Sequence, residues 1–376
     1  MARRGRNEGS VYQREQDGLW VATLHLGWEG TRRKRKFFYG ATEKEVLEKL
    51  FKARADLYRG LPVETKRQSV AQFLDEWLEN TVRPNARPRT YESFEIIVRL
   101  HLKPELGRLR LEQLTPQDVE ALLNRKRESG LAPQTCVHIR KVLKLALKKA
   151  VRVDQLARNA AELADPPTMT RPEIHPLDDD QARRFLAAAR GERLEALFVL
   201  AINTGMRRGE LLGVRWTDID LDQGTLRVAQ QLQRIRTQLL FTEPKSKKSR
   251  RTITLSASVV AALRAHRARQ LEERLRAGKD WQDSGLVFVA RGGTPIDPGN
   301  LDRDFKPVLK AAELPSIRFH DLRHTAATLL LMKGVQPLTV SELLGHASIT
   351  ITLSLYGHVL PSMKREAADV MQSLLG

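Results

Sequence analysis

Apolar residues recur along the chain at two different periods. Near the N-terminus, Ser10–Gln13, Leu19–Leu26 and Lys34–Tyr39 alternate or carry β-forming residues. Asp17-Gly18 and Gly27-Trp28-Glu29-Gly30 between them read as turns. From Thr42 the period becomes helical. Thr42 is the N-cap and Glu45 completes a capping box, with Val46, Leu47, Leu50 and Leu57 on the apolar stripe. Three short strands and a helix make a small module over residues 1–60, which Gly60-Leu61-Pro62 ends.

Residues 68–166 read as helical. Val70, Phe73, Leu74, Trp77 and Leu78 repeat at helical spacing, as do Phe94, Ile97, Val98 and then Val119, Leu122 and Leu123. Gly130 and Pro133 separate two helices, the second running from Gln134 to about Val151. That helix carries Arg140, Lys141, Lys144, Lys148 and Lys149 on its polar side, either a solvated face or one that meets phosphates. A Pro-rich connector from Asp165-Pro166-Pro167 to Pro176 spaces this part from residues 175–376, which mix helices with one hairpin region.

Charge narrows the partner. Lys+Arg 64 against Asp+Glu 45 gives +19, which favours a polyanion, nucleic acid before an acidic membrane surface. No apolar run approaches the ~18–20 residues that span a bilayer, and MARRGRNEGSVYQ has no secretory h-region. The single cysteine, Cys136, excludes an intramolecular disulfide framework and a Cys-rich zinc site. The expected class is a cytoplasmic, basic, multidomain protein.

Candidate chemistry lies in the third part. Asn203-Thr204-Gly205-Met206-Arg207-Arg208-Gly209-Glu210 breaks an apolar helix and starts another with Arg207 near its first turn. There Arg207 either pairs with Glu210 or is held beside helix-terminal N–H groups for an anion. Arg318-Phe-His320-Asp321-Leu-Arg323-His324 puts His320 and Arg323 on one helix face. His320 and His324 have zinc-helix spacing, but the segment lacks the HExxH glutamate and any cysteine partner. Leu343-Leu344-Gly345-His346 is a helix stopped by Gly with a His beyond it, and Tyr356 is the one tyrosine of this part. Glu243-Pro244-Lys245-Ser-Lys247-Lys248-Ser-Arg250-Arg251 precedes Thr252-Ile253-Thr254-Leu255, which alternates like the second strand of a hairpin with a basic tip. Asp178-Asp179-Asp180 offers a metal nuclease reading, but it opens the helix Gln181–Ala189, where Asp is the expected cap.

Two Arg, a Lys, two or three His and a Tyr form a coherent set for phosphoryl transfer without a metal. Arg forks clamp nonbridging oxygens, a His or a cationic field helps deprotonate a phenol of pKa ~10, and a Lys protonates a leaving 5′-oxygen.

In their order, Thr204-Gly-Met-Arg207-Arg-Gly-Glu210, the basic hairpin, His320-Asp-Leu-Arg323-His, Leu344-Gly-His346 and Tyr356 resemble the boxes of the tyrosine recombinases, the phage integrase family. The resemblance implies that Arg207 and Arg323 clamp the scissile phosphate and that Lys245 is the general acid. It also implies that His320 and His346 assist proton transfer, and that Tyr356 attacks to leave a 3′-phosphotyrosyl enzyme and a free 5′-hydroxyl. Lys247 and Lys248 share the tip; Lys245 follows Pro244, where the family's Lys stands on the outgoing strand.

The implied fold is multidomain and mainly α with small β elements. It comprises a small three-stranded sheet plus helix as an arm-type DNA-binding domain (1–60), a helical core-binding domain (68–166) and an α+β catalytic domain (175–376). Trp20, Thr23 and Arg32–Lys36 are candidate DNA contacts, Trp20 more in keeping with the core. The amphipathic tail Met363–Leu375, with Ala367, Val370, Met371 and Leu374 on one side, packs on its own domain or docks on a neighbouring protomer.

Implied partners are double-stranded DNA at core and arm attachment sites and a homotetramer on that DNA, with a DNA-bending host protein and an excisionase as further candidates. No cofactor or metal is required, because the ester bond is kept. The first module favours a mobile-element integrase over a chromosome-dimer resolving enzyme. The competing readings are a non-catalytic architectural protein on the same scaffold and a type IB topoisomerase-like enzyme.

Overall fold

The computed structural model describes residues 10–29, 32–58, 68–168, 175–244, 249–356, 369 and 371–375. The chain divides into two compact units, residues 1–171 and 172–376.

The first unit holds two separate hydrophobic cores. Strands β1 (Ser10–Gln13), β2 (Trp20–Glu29) and β3 (Arg32–Gly40) form an antiparallel sheet with β2 in the middle. Helix α1 (Glu43–Tyr58) covers one face, burying Ala22, Leu24, Val46, Leu50 and Ala53 with Trp20 packed against them. Thr42 Oγ1 accepts from Glu45 N, while the Glu45 carboxylate accepts from Ala41 N, so the expected box closes one residue early. Three expectations differ. Gly27 lies inside β2 at a bulge after His25, with φ +105°, rather than in the turn; a left-handed backbone in a strand is where glycine belongs. Leu57 is exposed near the frayed end of α1. Thr23 is buried between Ser10 and Phe37 and so is closed to DNA in this state.

The second core is helical: α2 (Val70–Trp77), α3 (Arg83–Asn85), α4 (Pro88–Ile97), α5 (Lys103–Leu106), α6 (Pro116–Glu128), α7 (Pro133–Arg152) and α8 (Ala160–Leu163). Wide π turns, Leu78–Val82 and Val98–Leu102, join α2 to α3 and α4 to α5. Each stands just before a proline, Pro84 or Pro104. Proline in an α-helix clashes with the carbonyl four residues back, and a π turn widens the spiral there. The backbone records the shift: Arg83 N bonds Leu78 O and Lys103 N bonds Val98 O. On α7 the polar run is partly structural. Arg140 donates to the carbonyls of Glu162 and Ala164 at the end of α8, and Lys144 pairs with Glu162. Lys141 and Lys148 stay on the exposed side.

The second unit contains α9 (Asp179–Ala188), α10 (Glu195–Thr204), α11 (Arg208–Leu212), α12 (Ala257–Ala277), α13 (Leu301–Ala311), α14 (Asp321–Met332), α15 (Pro337–Leu344) and α16 (Ile349–Tyr356). Its strands are β4 (Ile219–Asp220), β5 (Thr225–Arg227), β6 (Gln231–Ile235), β7 (Gln238–Thr242) and β8 (Thr252–Thr254). Asp178 caps α9 by accepting from Gln181 N at 2.8 Å, as its position required. The hairpin is β6–β7, while β8 pairs with β5 in a sheet of order β4-β5-β8. Alternation in Thr252–Thr254 identified a strand, but it carries no information about the partner strand. Lys245, Lys247 and Lys248 lie outside the described residues, on the stretch joining β7 to β8. So do residues 363–368 and 370 of the tail; Met371 and Leu374 are exposed on its helical end.

An aromatic cluster centres this unit. Phe185 meets Phe198 and Phe305 edge-on at 5.7 Å, and Phe305 meets Phe319 at 5.4 Å. Phe319 directly precedes His320, so the core anchors the start of α14. Among the described residues no single helix is long and apolar enough to cross a membrane. Phe305→Ala empties the middle of this cluster. Urea unfolding of the second unit should register a loss of about 3–5 kcal/mol, and a loss below ~1 kcal/mol would deny the cluster its anchoring part.

Candidate active site

Two helices end at glycines that aim their last carbonyls at arginines. Helix α10 stops at Gly205, φ +60°, and α15 stops at Gly345, φ +66°; both backbones are left-handed, which glycine adopts without strain. A Cβ on Gly205 would stand 2.4 Å from Leu344 Cδ2, so α10 and α15 meet there without room for a side chain. Gly205 O accepts from Arg323 Nη1 at 2.7 Å, and Gly345 O accepts from Arg207 Nη2 at 3.1 Å.

Arg207 is the N-cap of α11 rather than a first-turn residue, and of its two expected roles the pairing with Glu210 is the one observed. Its Nη1 donates to Glu210 Oε1 at 2.8 Å while its Nη2 reaches Gly345. Glu210, 2% exposed, also accepts from Arg251 Nη2 at 3.1 Å. Arg251 completes its bonds at Leu343 O, 2.5 Å, and Ser249 O, 3.2 Å. Burial would raise the Glu210 carboxyl, but the charges of Arg251 and Arg207 outweigh it and hold it below the usual carboxylate range.

Arg323 is 4% exposed, and its Nη2 has no hydrogen-bond partner among the described residues. Burial first, then Arg207 and Arg251, hold the guanidinium down to about 9 against the opposing pull of Glu210; it remains cationic at neutral pH. One carboxylate thus bonds two of the three guanidinium groups, and the third, Arg323, feels its charge. An unpartnered buried N–H in such a field is a donor waiting for an anion.

The histidines are neutral. His346 follows Gly345, is buried, and its Nδ1 shares a 2.8 Å hydrogen bond with Thr352 Oγ1. Burial, then Arg323 and Arg207, push it down to about 4. His320 stands on the solvent side at the start of α14, yet surrounding protein, then His324 and Arg323, push it down to about 4 as well. Tyr356, the last residue of α16, is 2% exposed among Ala327, Leu331, Val340 and Leu344. Burial lifts its phenol to about 12, with Arg323 opposing. Its hydroxyl shares a 2.7 Å hydrogen bond with His324 Nδ1.

Arg207, His320, Arg323, His346 and Tyr356 thus assemble from the ends of α10, α14, α15 and α16. Sequence reasoning missed Arg251 and His324. Arg251 was one cation in a basic run, with only its place just before β8 to separate it from the tip. His324 stands in the His320-Asp-Leu-Arg323-His box and has zinc-helix spacing, but nothing in the sequence gives it a partner.

A family model described as phage integrase family matches residues 176–363, and one described as phage integrase, N-terminal SAM-like domain, matches residues 69–127. A protein named tyrosine recombinase XerC-like from Caldanaerobacter subterraneus subsp. tengcongensis is 33% identical, covering 90% of this chain and 92% of its own. An integrase of Streptomyces ambofaciens is 31% identical over 99% of this chain and 97% of its own. Among solved structures, the Tn1549 transposon integrase in complex with a circular intermediate DNA matches with TM-score 0.69 at 23% identity, over 81% of this chain and 99% of that one. A lambda integrase tetramer bound to a Holliday junction matches with TM-score 0.58 at 19% identity, over 94% and 96%. At these identities the two structures bear on the fold alone.

Glu210 holds two of the three arginines, so Glu210→Gln should destabilise the second unit by roughly 3–5 kcal/mol, the cost of breaking a buried ion pair. Because the folded carboxyl titrates below its unfolded value, its contribution is present above about pH 4.5 and is lost as pH falls through the lower folded value. Thermal unfolding across pH 3–7 should therefore show an acid step in the wild type that is smaller in Glu210→Gln; equal steps would contradict the assignment.

Proposed function

The chain belongs to the phage integrase family and is a site-specific tyrosine recombinase, an enzyme that cuts and rejoins DNA; on that footing we propose that Tyr356 is its nucleophile and Arg207 and Arg323 its phosphate clamp. The observation that carries this reading is Arg323 Nη2, without a hydrogen-bond partner among the described residues, in a cationic cluster whose charge reaches the phenol. A scissile phosphate seated there accepts from Arg323 Nη2 and from Arg207, and the charge that grows on its oxygens in the transition state meets donors already in place. Tyr356 Oη attacks phosphorus, the P–O5′ bond breaks, and a 3′-phosphotyrosyl link keeps the ester energy for rejoining. That chemistry needs neither ATP nor a metal. Lys245 is the proposed acid for the 5′-oxygen, and neutral His320 and His346 complete the donor set around the phosphate.

The same reading assigns residues 1–60 to arm-type DNA, 68–166 to core DNA and 175–376 to catalysis. The partner is duplex DNA bearing core and arm sites of a mobile element, and the assembly on it is a homotetramer. A DNA-bending host protein and an excisionase are its proposed accessories, and the bacterial cytoplasm is its place of action. The exposed face of the first sheet, with Tyr12, Phe37, Tyr39 and Arg35, supports the arm assignment.

Covalent trapping on nicked core duplexes in EDTA tests the chemistry. Wild type should give an SDS-resistant adduct, Tyr356→Phe none, and Arg323→Ala at least ~10²-fold less with core binding retained. An adduct surviving in Tyr356→Phe would sink the assignment, and no adduct from specifically bound wild type would favour the architectural alternative. Deleting residues 1–60 should abolish binding to arm-type DNA and leave core cleavage; loss of cleavage would make the module structural.

A further inference from the structure

His324 has no part in the reading above, yet among the described residues it is the one side chain hydrogen-bonded to the proposed nucleophilic atom. It lies in the first turn of α14 with its ring centre 5.8 Å from that of Tyr356 and its Nδ1 2.7 Å from Oη. His320 stands edge-on to it, ring centres 5.3 Å apart. Among the described residues no hydrogen bond joins His320 or His346 to Tyr356, and His346 Nδ1 is taken by Thr352. The phenol is buried and has one O–H to donate. His324 Nδ1 is its one hydrogen-bond partner among the described residues. A buried tyrosine hydroxyl needs an acceptor, and a neutral imidazole protonated at Nε2 offers one at Nδ1.

We propose that His324 is the general base for Tyr356, a role that rests on Tyr356 being the nucleophile. As the Oη–P bond forms and the P–O5′ bond breaks, the Oη proton passes to Nδ1, giving an imidazolium. The leaving 5′-oxygen takes its proton from a separate acid, for which Lys245 is the proposed residue. On rejoining, a 5′-hydroxyl attacks and gives its proton back to the separate acid, the phosphotyrosyl bond breaks, and Nδ1 returns the proton to Oη. His320 then braces the imidazole edge-on rather than acting on the phenol.

The charges around His324 fit this division. From the start of α14 it faces Arg318, His320, Asp321 and Arg323; from α16, Tyr356; and from the turn after α15, His346. Burial is the largest influence and lowers its affinity for a proton. Asp321 opposes this, and Arg318 and Arg323 add to it. The free imidazole is therefore neutral at working pH and able to accept. A bound phosphate brings the negative charge that stabilises the imidazolium as the proton moves, so the base becomes stronger when substrate is present.

Single-turnover adduct formation on nicked core duplex, across pH 6–9, separates base from brace. His324→Asn places an amide oxygen near Nδ1 that accepts the hydrogen bond but cannot carry the proton away; His324→Ala removes both. Both should bind core DNA as wild type does and cleave at least ~10²-fold more slowly. Their rates should rise about tenfold per pH unit where the wild type is flat. A 5′-bridging phosphorothiolate, whose thiolate leaves without an acid, should rescue Lys245→Ala and leave both His324 variants slow. Wild-type rates in His324→Asn, or rescue of the His324 variants by the thiolate, would overturn the base role.

If the variants do not fold, ¹⁵N-histidine spectra of wild type and Tyr356→Phe decide the matter. The proton of His324 must sit on Nε2, and an Nδ1–H tautomer donating to Oη excludes the proposal. No adduct from wild type would instead fail the nucleophile assignment itself, so the two failures are distinct.

Discussion

A surplus of buried positive charge is the constraint around which the second unit is arranged. Arg207, Arg251 and Arg323 lie around a single carboxylate, Glu210, and desolvating guanidinium groups without full pairing costs several kcal/mol. The offset comes from backbone. Gly205 O, Leu343 O and Gly345 O lie at the C-terminal ends of α10 and α15, where the helix dipoles are negative and the last carbonyls lack helical partners. The two left-handed glycines turn those carbonyls inward, and the contact between Gly205 and Leu344 fixes the distance between the helix ends. The neutralisation is partial: among the described residues Arg323 Nη2 has no hydrogen-bond partner.

That surplus also sets the state of every other titratable group nearby. Burial and the neighbouring cations keep His320 and His346 neutral. Neutral imidazoles add hydrogen-bond donors beside a bound phosphate without adding to the charge already stored. Burial lifts the Tyr356 phenol to about 12 while Arg323 opposes it, so the hydroxyl is protonated at neutral pH.

Much of this was legible before any coordinates. Helical periodicity located the two large cores, the capping residues Thr42 and Asp178 marked helix starts, and the Gly345 stop came from Leu-Leu-Gly-His alone. Arg207, His320, Arg323, His346 and Tyr356 stood out as candidates because charged, imidazole and phenol groups beside breaks in apolar sequence are conspicuous. What escaped depended on distance in space. The pairing of β8 with β5 rather than β7 is decided by sheet packing. The π turns at Leu78–Val82 and Val98–Leu102 answer to prolines that a reader takes for helix ends. Arg251 looks like its exposed neighbours until Glu210 is placed beside it. His324 has no meaning without Tyr356, thirty-two positions away.

The precision of the nucleophile rests on a helix too short to form by itself. Eight residues, Ile349–Tyr356, are well below the length at which an isolated helix persists in water, so packing must hold α16. It is held by apolar contacts to Val340 and Leu344 and by two polar pins, Thr352 to His346 and Tyr356 to His324. Ile349, Ile351 and Leu353 stay exposed on it, so among the described residues its packing is one-sided. Burial first, with Arg323 adding to it, disfavours the charged form of both imidazoles. The guanidinium cluster and the placement of the Tyr356 hydroxyl are therefore one electrostatic problem: Arg323 belongs to the cluster and also opposes charge on the two histidines that hold α16.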